Sequence, residues 1–77
     1  MKDKYRIYFT KNGVEELRYI ISENYNTHAI VRWKNGRNIL LSSYDSVQIA
    51  LEDIKFGMED YVFKGVYDSF RIEEIKQ

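Results

Sequence analysis

The chain is short, electrically neutral overall and free of cysteine. It has 77 residues, of which 44% are hydrophobic, and 12 Lys or Arg balance 12 Asp or Glu. This composition is typical of a folded globular domain, excludes disulfides and thiolate metal sites, and predicts a single domain over residues 1–77.

The neutral total hides a division of charge along the chain. Residues 1–42 contain eight basic and four acidic side chains, whereas residues 43–77 contain four basic and eight acidic ones. A segregated charge distribution is an argument about partners and association rates rather than about fold. It favours a function in binding, and it also permits self-association.

Targeting signals are not visible in the sequence. No run approaches the roughly 18 consecutive apolar residues that span a membrane, and no apolar stretch of a secretion signal follows the charged N-terminal residues. We therefore expect a cytoplasmic protein that does not bind membranes. Residues with AT-rich codons predominate, which points to a low-GC bacterium or its phages, and the location is then the host cytoplasm.

The first predicted element is a strand over residues 4–10, which ends near Asn12-Gly13. Asn-Gly between strand-like runs is the strongest short signal for a hairpin, because a type I′ turn needs positive φ at both central residues. Residues 15–22 then form the second strand. A helix over residues 14–24, with Asn12 as its N-cap, also fits the pattern. Both interpretations stay open from sequence alone.

A second hairpin is predicted at Asn35-Gly36, with Lys34 paired to Arg37. Its two faces carry apolar residues: Ala29, Val31, Trp33 and Leu40 on one, and Ile30, Ile39 and Leu41 on the other. Because both faces are apolar, the two strands are either central in a sheet or leave one face for a partner.

The clearest helical pattern covers residues 45–57. Asp45 or Ser46 supplies the N-cap, and Gly57 is the predicted stop. Apolar residues at helical spacing predict packing on the sheet: Val47, Ala50, Leu51 and Ile54. Residues 61–67 and 70–75 are predicted as the last two strands.

Together these elements predict an α+β fold. A small antiparallel sheet of five or six short strands carries one main helix, about residues 45–57, packed on one face. If residues 14–24 are helical, the alternative is a β-α-β-β-α-β arrangement.

The sequence offers little for catalysis. His28 is the only histidine, and the sequence contains no phosphate-binding glycine loop, nucleophile elbow or metal-binding motif. The serines fall at predicted turn or cap positions, where their hydroxyls serve local structure. We therefore predict a protein that is not an enzyme and uses no metal and no cofactor.

Two groups of residues are candidates for binding. The basic group, at the predicted tip of the second hairpin, is Arg32, Trp33, Lys34 and Arg37. Its cations can neutralise phosphates, and its indole can stack on an unpaired base. The acidic group is Glu52, Asp53, Glu59, Asp60, Glu73 and Glu74. Such a surface can dock on a basic groove of another protein.

These observations favour a small non-catalytic protein-binding module. Its small size, aromatic surplus and segregated charge suggest an inhibitor or adaptor from a phage or mobile element, which acts on a host protein through a charged and aromatic surface. The alternative is a nucleic-acid-binding protein that uses the basic Arg32–Arg37 hairpin tip.

Overall fold

The structure, a computed structural model, describes residues 2–24 and 28–76. Its elements in chain order are β1 (Lys2–Lys11), β2 (Val14–Asn24), β3 (His28–Asn35), β4 (Asn38–Tyr44), α1 (Val47–Phe63) and β5 (Ser69–Glu74). The strands form one antiparallel sheet in the order β4-β3-β2-β1-β5, so α1 connects the two edge strands. The predicted α+β fold with one helix is confirmed.

The β1–β2 hairpin forms where Asn-Gly predicts it. Lys11 pairs with Val14, and Asn12 and Gly13 have φ values of 53° and 79°. Positive φ at both central residues is the pattern of a type I′ turn. Residues 14–24 are therefore a strand, and the β-α-β-β-α-β alternative is wrong, because this turn sets β2 directly beside β1.

The β3–β4 hairpin forms in a different register from the predicted one. Asn35 pairs with Asn38, so the loop consists of Gly36 and Arg37. Gly36 has a φ of 63°, and a type II′ turn requires glycine at this first central position. Each residue of β3 therefore pairs with a β4 residue two positions further along the chain than predicted; Lys34, for example, pairs with Ile39 and not with Arg37. The predicted faces survive this shift, because side chains alternate with a period of two.

Helix α1 begins where the sequence predicts it and continues beyond its predicted stop. The Oγ of Ser46 caps it by accepting a hydrogen bond from the amide of Ile49 at 3.1 Å. The helix then runs through Gly57, because one mid-helix glycine costs only about 1 kcal/mol and the next residue, Met58, is buried in the core.

A left-handed glycine ends α1. Gly65 has a φ of 80°, and its amide donates to the carbonyl of Val62 at 3.0 Å. The amide of Val66 donates to the carbonyl of Tyr61 at 2.8 Å. These two bonds form a Schellman motif, which satisfies carbonyls at the end of a helix. The predicted strand at 61–67 is therefore wrong: these residues complete the helix and its cap.

The two glycines should respond in opposite ways to the same substitution. We expect Gly57→Ala to stabilise the protein by about 0.5–1 kcal/mol, because an added Cβ meets nothing within 4 Å. Gly65→Ala should destabilise it by about 1–2 kcal/mol, since an L-residue is strained in the left-handed region. Urea unfolding followed by circular dichroism measures both changes, and shifts of the same sign would contradict this assignment.

The hydrophobic core lies between α1 and the face of the sheet that α1 covers. Its fully buried apolar side chains are Ile7, Ile21, Ala29, Val31, Ala50 and Met58. Half-buried aromatic rings surround them, and Phe9 stacks on Tyr67 with ring centroids 4.2 Å apart. In the part of the chain that the structure describes, no helix is long and apolar enough to cross a membrane. The predicted binding residues are divided between the outer side of α1, both faces of the sheet and the tip of the β3–β4 hairpin.

Candidate functional site

Three apolar side chains form a row on the outer side of α1. Ile49, Phe56 and Phe63 recur at seven-residue spacing, which aligns them along a helix of about 3.6 residues per turn. They are 50%, 75% and 90% exposed, whereas Ala50 and Met58 on the sheet side are buried. Single exposed apolar residues are ordinary on protein surfaces, but an aligned row with two phenylalanines is typical of an interaction site.

Four of the six predicted acidic residues border this row. Helical geometry places Glu52 and Glu59 along one side of the row and Asp53 and Asp60 along the other. The only basic residue within α1 is Lys55. We call these four carboxylates and the three apolar side chains the α1 outer face. This surface is apolar along its centre and negatively charged along both margins.

The acidic residues of α1 are not placed to stabilise it through the helix dipole. The helix has no acidic residue in its first turn and no basic residue in its last turn, so it has neither of the charge placements that the dipole favours. Asp60 pairs with Lys64 at 2.8 Å, and Glu52 accepts a hydrogen bond from Gln48 at 3.1 Å. Exposed pairs of this kind add little to stability, because water screens them.

Asp53 ties the α1 outer face to the edge of the sheet. Its carboxylate accepts a hydrogen bond from the hydroxyl of Tyr44, on β4, at 2.5 Å. This bond, together with partial burial, raises the pKa of Tyr44 to about 12. The bond therefore connects the outer side of α1 to edge strand β4.

The other two acidic candidates lie on β5, away from the α1 outer face. Glu73 accepts hydrogen bonds from Arg6 at 2.9 Å and from Arg71 at 3.4 Å, on the face of the sheet that α1 leaves uncovered. The bond from Arg6, with that from Arg71, holds the pKa of Glu73 below its usual value. Glu74 accepts a hydrogen bond from Tyr5 at 3.4 Å. The structure thus divides the acidic group into two sets.

Arg32, from the basic group, belongs to a polar cluster on the uncovered sheet face. Its Nη2 donates to a carboxylate oxygen of Asp3 at 3.0 Å, and the hydroxyl of Ser22 donates to the same oxygen at 2.6 Å. Ser22 is fully buried. This cluster links β1, β2 and β3, and it compensates the charge of Arg32.

The remaining basic-group residues divide between two locations. Trp33 lies on the α1 side of the sheet, where its ring centroid is 5.9 Å from that of Tyr19. Lys34 and Arg37 are exposed near the hairpin tip. An indole packed in this way contributes to the core.

A cleft opens where the two hairpins separate. It has a volume of about 630 Å³, and its lining includes Arg18, Arg32, Trp33 and Lys34. The two hairpins pair only from Ile20 and Arg32 onward towards the β2–β3 connection. Across the gap, Nη1 of Arg18 donates to the carbonyl of Lys34 at 3.2 Å. The structure therefore brings three residues of the basic group to one cleft.

Sequence reasoning missed the apolar row of the α1 outer face. It ended the helix at Gly57 and assigned Phe63 to a strand, so the row was cut after Phe56. The seven-residue spacing from Ile49 to Phe63 is a visible signal, but it has meaning only if the helix extends through residue 63.

Possible metal ligands are dispersed in the structure. Among residues 2–24 and 28–76, no three His, Cys, Asp or Glu side chains are grouped so that they could hold a metal ion. His28 begins β3 and is exposed.

Comparisons with protein-family models, with curated proteins and with solved structures find no match to this chain.

Proposed function

We propose that this protein is a small non-catalytic protein-binding module that acts through the α1 outer face. The observation that carries the proposal is the row of Ile49, Phe56 and Phe63, in which the two phenylalanines are 75% and 90% exposed. Burial of one such side chain against a partner is worth about 1.5–3 kcal/mol. A helix that presents one apolar row is a recurring ligand for an apolar groove.

The partner that fits this surface has an apolar groove rimmed by Lys and Arg. Glu52 and Glu59 would meet one rim, and Asp53 and Asp60 the other. Complementary charge accelerates encounter and selects the partner, whereas the buried apolar side chains supply most of the affinity. The salt dependence of association should therefore report on the acidic margins.

We further propose that the protein is an inhibitor or adaptor that a phage or mobile element encodes. Its support is the aromatic content of 16% and the segregation of charge along the chain. In this role the protein would act in the host cytoplasm. The absence of cysteine is compatible with that reducing compartment.

The test is affinity capture from host lysate with matched variants, followed by quantitative mass spectrometry. The double variant Phe56→Ser, Phe63→Ser should lose at least about tenfold of the specifically retained protein, since truncated interface anchors typically cost more than about 1.4 kcal/mol. The control is Val14→Ser, Leu17→Ser, which removes two exposed apolar side chains from β2. Circular dichroism verifies that both variants fold.

The supporting result is a partner that wild type and control retain, that the phenylalanine variant loses, and whose association slows as salt is raised. Equal retention by both variants would show that the α1 outer face is not the binding surface.

A second candidate function is nucleic-acid binding at the cleft between the hairpins. The observation that favours it is the presence of Arg18, Lys34 and Trp33 in one lining, because cations bind phosphates and an indole stacks on bases. It is the weaker candidate, since Arg32 is paired with Asp3. A gel shift with single- and double-stranded DNA and RNA at low salt separates the two candidates.

A further inference from the structure

The two edges of the sheet differ in how they are protected. Edge strand β5 carries three charged residues, Arg71, Glu73 and Glu74, within six positions. Edge strand β4 has the sequence Asn-Ile-Leu-Leu-Ser-Ser-Tyr, with no charge and no proline. Natural proteins usually blunt an edge with charge, proline or a bulge, because its outward backbone groups otherwise pair with another strand.

Strand β4 is also regular and accessible. Its seven residues pair with β3 in continuous register, so no bulge twists the edge away. Ile39 and Leu41 are 65% and 63% exposed, and both lie on the face opposite the half-buried Leu40 and Tyr44. An uncharged, β-forming and regular edge strand is suited to β-strand addition.

The lack of charge on β4 indicates what kind of strand can pair with it. A strand without charged side chains offers nothing to select a charged peptide, and a second copy of β4 meets it without any like-charge contact. The α1 outer face is unsuited to pairing with a second copy of itself, since two copies of its acidic margins would repel each other. We propose that two copies of this chain pair antiparallel through β4, about a two-fold axis at Leu41, into a continuous ten-stranded sheet.

The strand pattern supports this register. With Leu41 opposite Leu41 of the second copy, Ile39 faces Ser43 of the second copy and Leu40 faces Ser42 of the second copy. Residues directly opposite each other project to the same side of a sheet. The pairing therefore uses all seven residues and keeps α1 of both copies on one side. It also covers the exposed Leu41 with its own counterpart.

The absence of cysteine from the chain makes this geometry directly testable. Opposed residues of an antiparallel pair have Cα atoms about 4.5–5.5 Å apart, within the range of about 4.4–6.8 Å that a disulfide spans. Leu41→Cys should therefore give a disulfide-linked dimer under mild oxidation. Ile39→Cys is the matched control, on the same strand and face and with nearly equal exposure. In the proposed dimer its two copies lie about 13 Å apart along the strands, too far to join.

Sedimentation equilibrium of the unmodified chain should show a monomer–dimer equilibrium that salt changes little, since β4 is uncharged. Leu41→Lys should shift the protein to monomer with its circular dichroism spectrum retained. The Phe56→Ser, Phe63→Ser variant should still dimerise, which separates this inference from the proposed function. A wild-type monomer at all concentrations, a Leu41→Lys dimer, or equal cross-linking of the two cysteine variants would each overturn the inference.

Discussion

Replacement of Ile21 by alanine should destabilise the protein by about 2–5 kcal/mol, the range for deletion of a buried aliphatic side chain. Ile21 is fully buried on β2, where it pairs with Tyr5 on one side and Val31 on the other. Small domains are stable by only about 5–15 kcal/mol in total, and 77 residues place this chain towards the low end. We therefore expect Ile21→Ala to unfold at much lower urea concentration.

The matched control is Ile49→Ala, which deletes the same atoms from an exposed position on α1. Its free energy of unfolding should change by no more than about 0.5 kcal/mol, because surface substitutions away from special contacts are nearly neutral. Urea titration followed by circular dichroism and by the fluorescence of the single tryptophan gives both values. Comparable losses in the two variants would contradict the placement of the core beneath α1.

Replacement of Asp3 by alanine should cost about 2 kcal/mol, more than is usual for an ion pair near the surface. The substitution leaves the buried hydroxyl of Ser22 without its acceptor and Arg32 without its carboxylate. The side chain of Arg32 is 37% exposed, so water can replace its contact with Asp3. The penalty thus comes from the stranded hydroxyl of Ser22 rather than from a lost surface attraction.

Two further variants isolate this effect. Glu15→Ala removes a carboxylate that Arg71 holds at 2.9 Å, without a buried hydroxyl in the contact, and should destabilise the protein much less than Asp3→Ala, since exposed ion pairs add little to stability. Asp3→Asn should recover about half of the loss, since its amide oxygen still accepts from Ser22. If Asp3→Ala and Glu15→Ala were equally mild in chemical denaturation, the cluster would be only a solvated ion pair.

The apolar row of the α1 outer face does not contribute to the hydrophobic core. The core is closed by the sheet-facing side of α1, yet two phenylalanines occupy the opposite side. The uncovered sheet face differs from that surface, because carboxylates of Asp3, Glu15 and Glu73 pair with its arginines. Compensated charge suits a surface exposed to water, whereas the α1 outer face places apolar rings between acidic residues, of which Asp60 is paired with Lys64.

Sequence patterns predicted those features that neighbouring residues control. In two cases one of the alternatives that the sequence offered has formed: the turn at Asn12-Gly13 rather than a helix, and the N-cap at Ser46 rather than at Asp45. Both depend on contacts within a few positions. The faces of β3 and β4 were also predictable, since strand side chains alternate regardless of register. The register itself was not predictable, because the same residues fit a type I′ turn at Asn35-Gly36 and a type II′ turn at Gly36-Arg37.

The end of α1 shows why the candidate site escaped prediction. Gly57 resembles a helix stop, but the stop lies at Gly65, and packing of Met58 in the core offsets the cost of the earlier glycine. Phe63 became a surface residue of a helix only through that extension. Of the acidic group, the four residues on α1 share one surface because a helix joins them, while Glu73 and Glu74 are separated by the path of β5.

By itself, the sequence determined the class of fold, the start of the helix and the alternation of apolar faces, since these follow from local backbone preferences and periodicity. Only the tertiary structure decided where α1 ends, which strand lies unprotected at the sheet edge, and that Asp3 meets Arg32 from 29 residues away. The physical reason is the relative size of two free energies. Local conformational preferences differ by about 1 kcal/mol per residue, and the packing of distant residues in the core outweighs them.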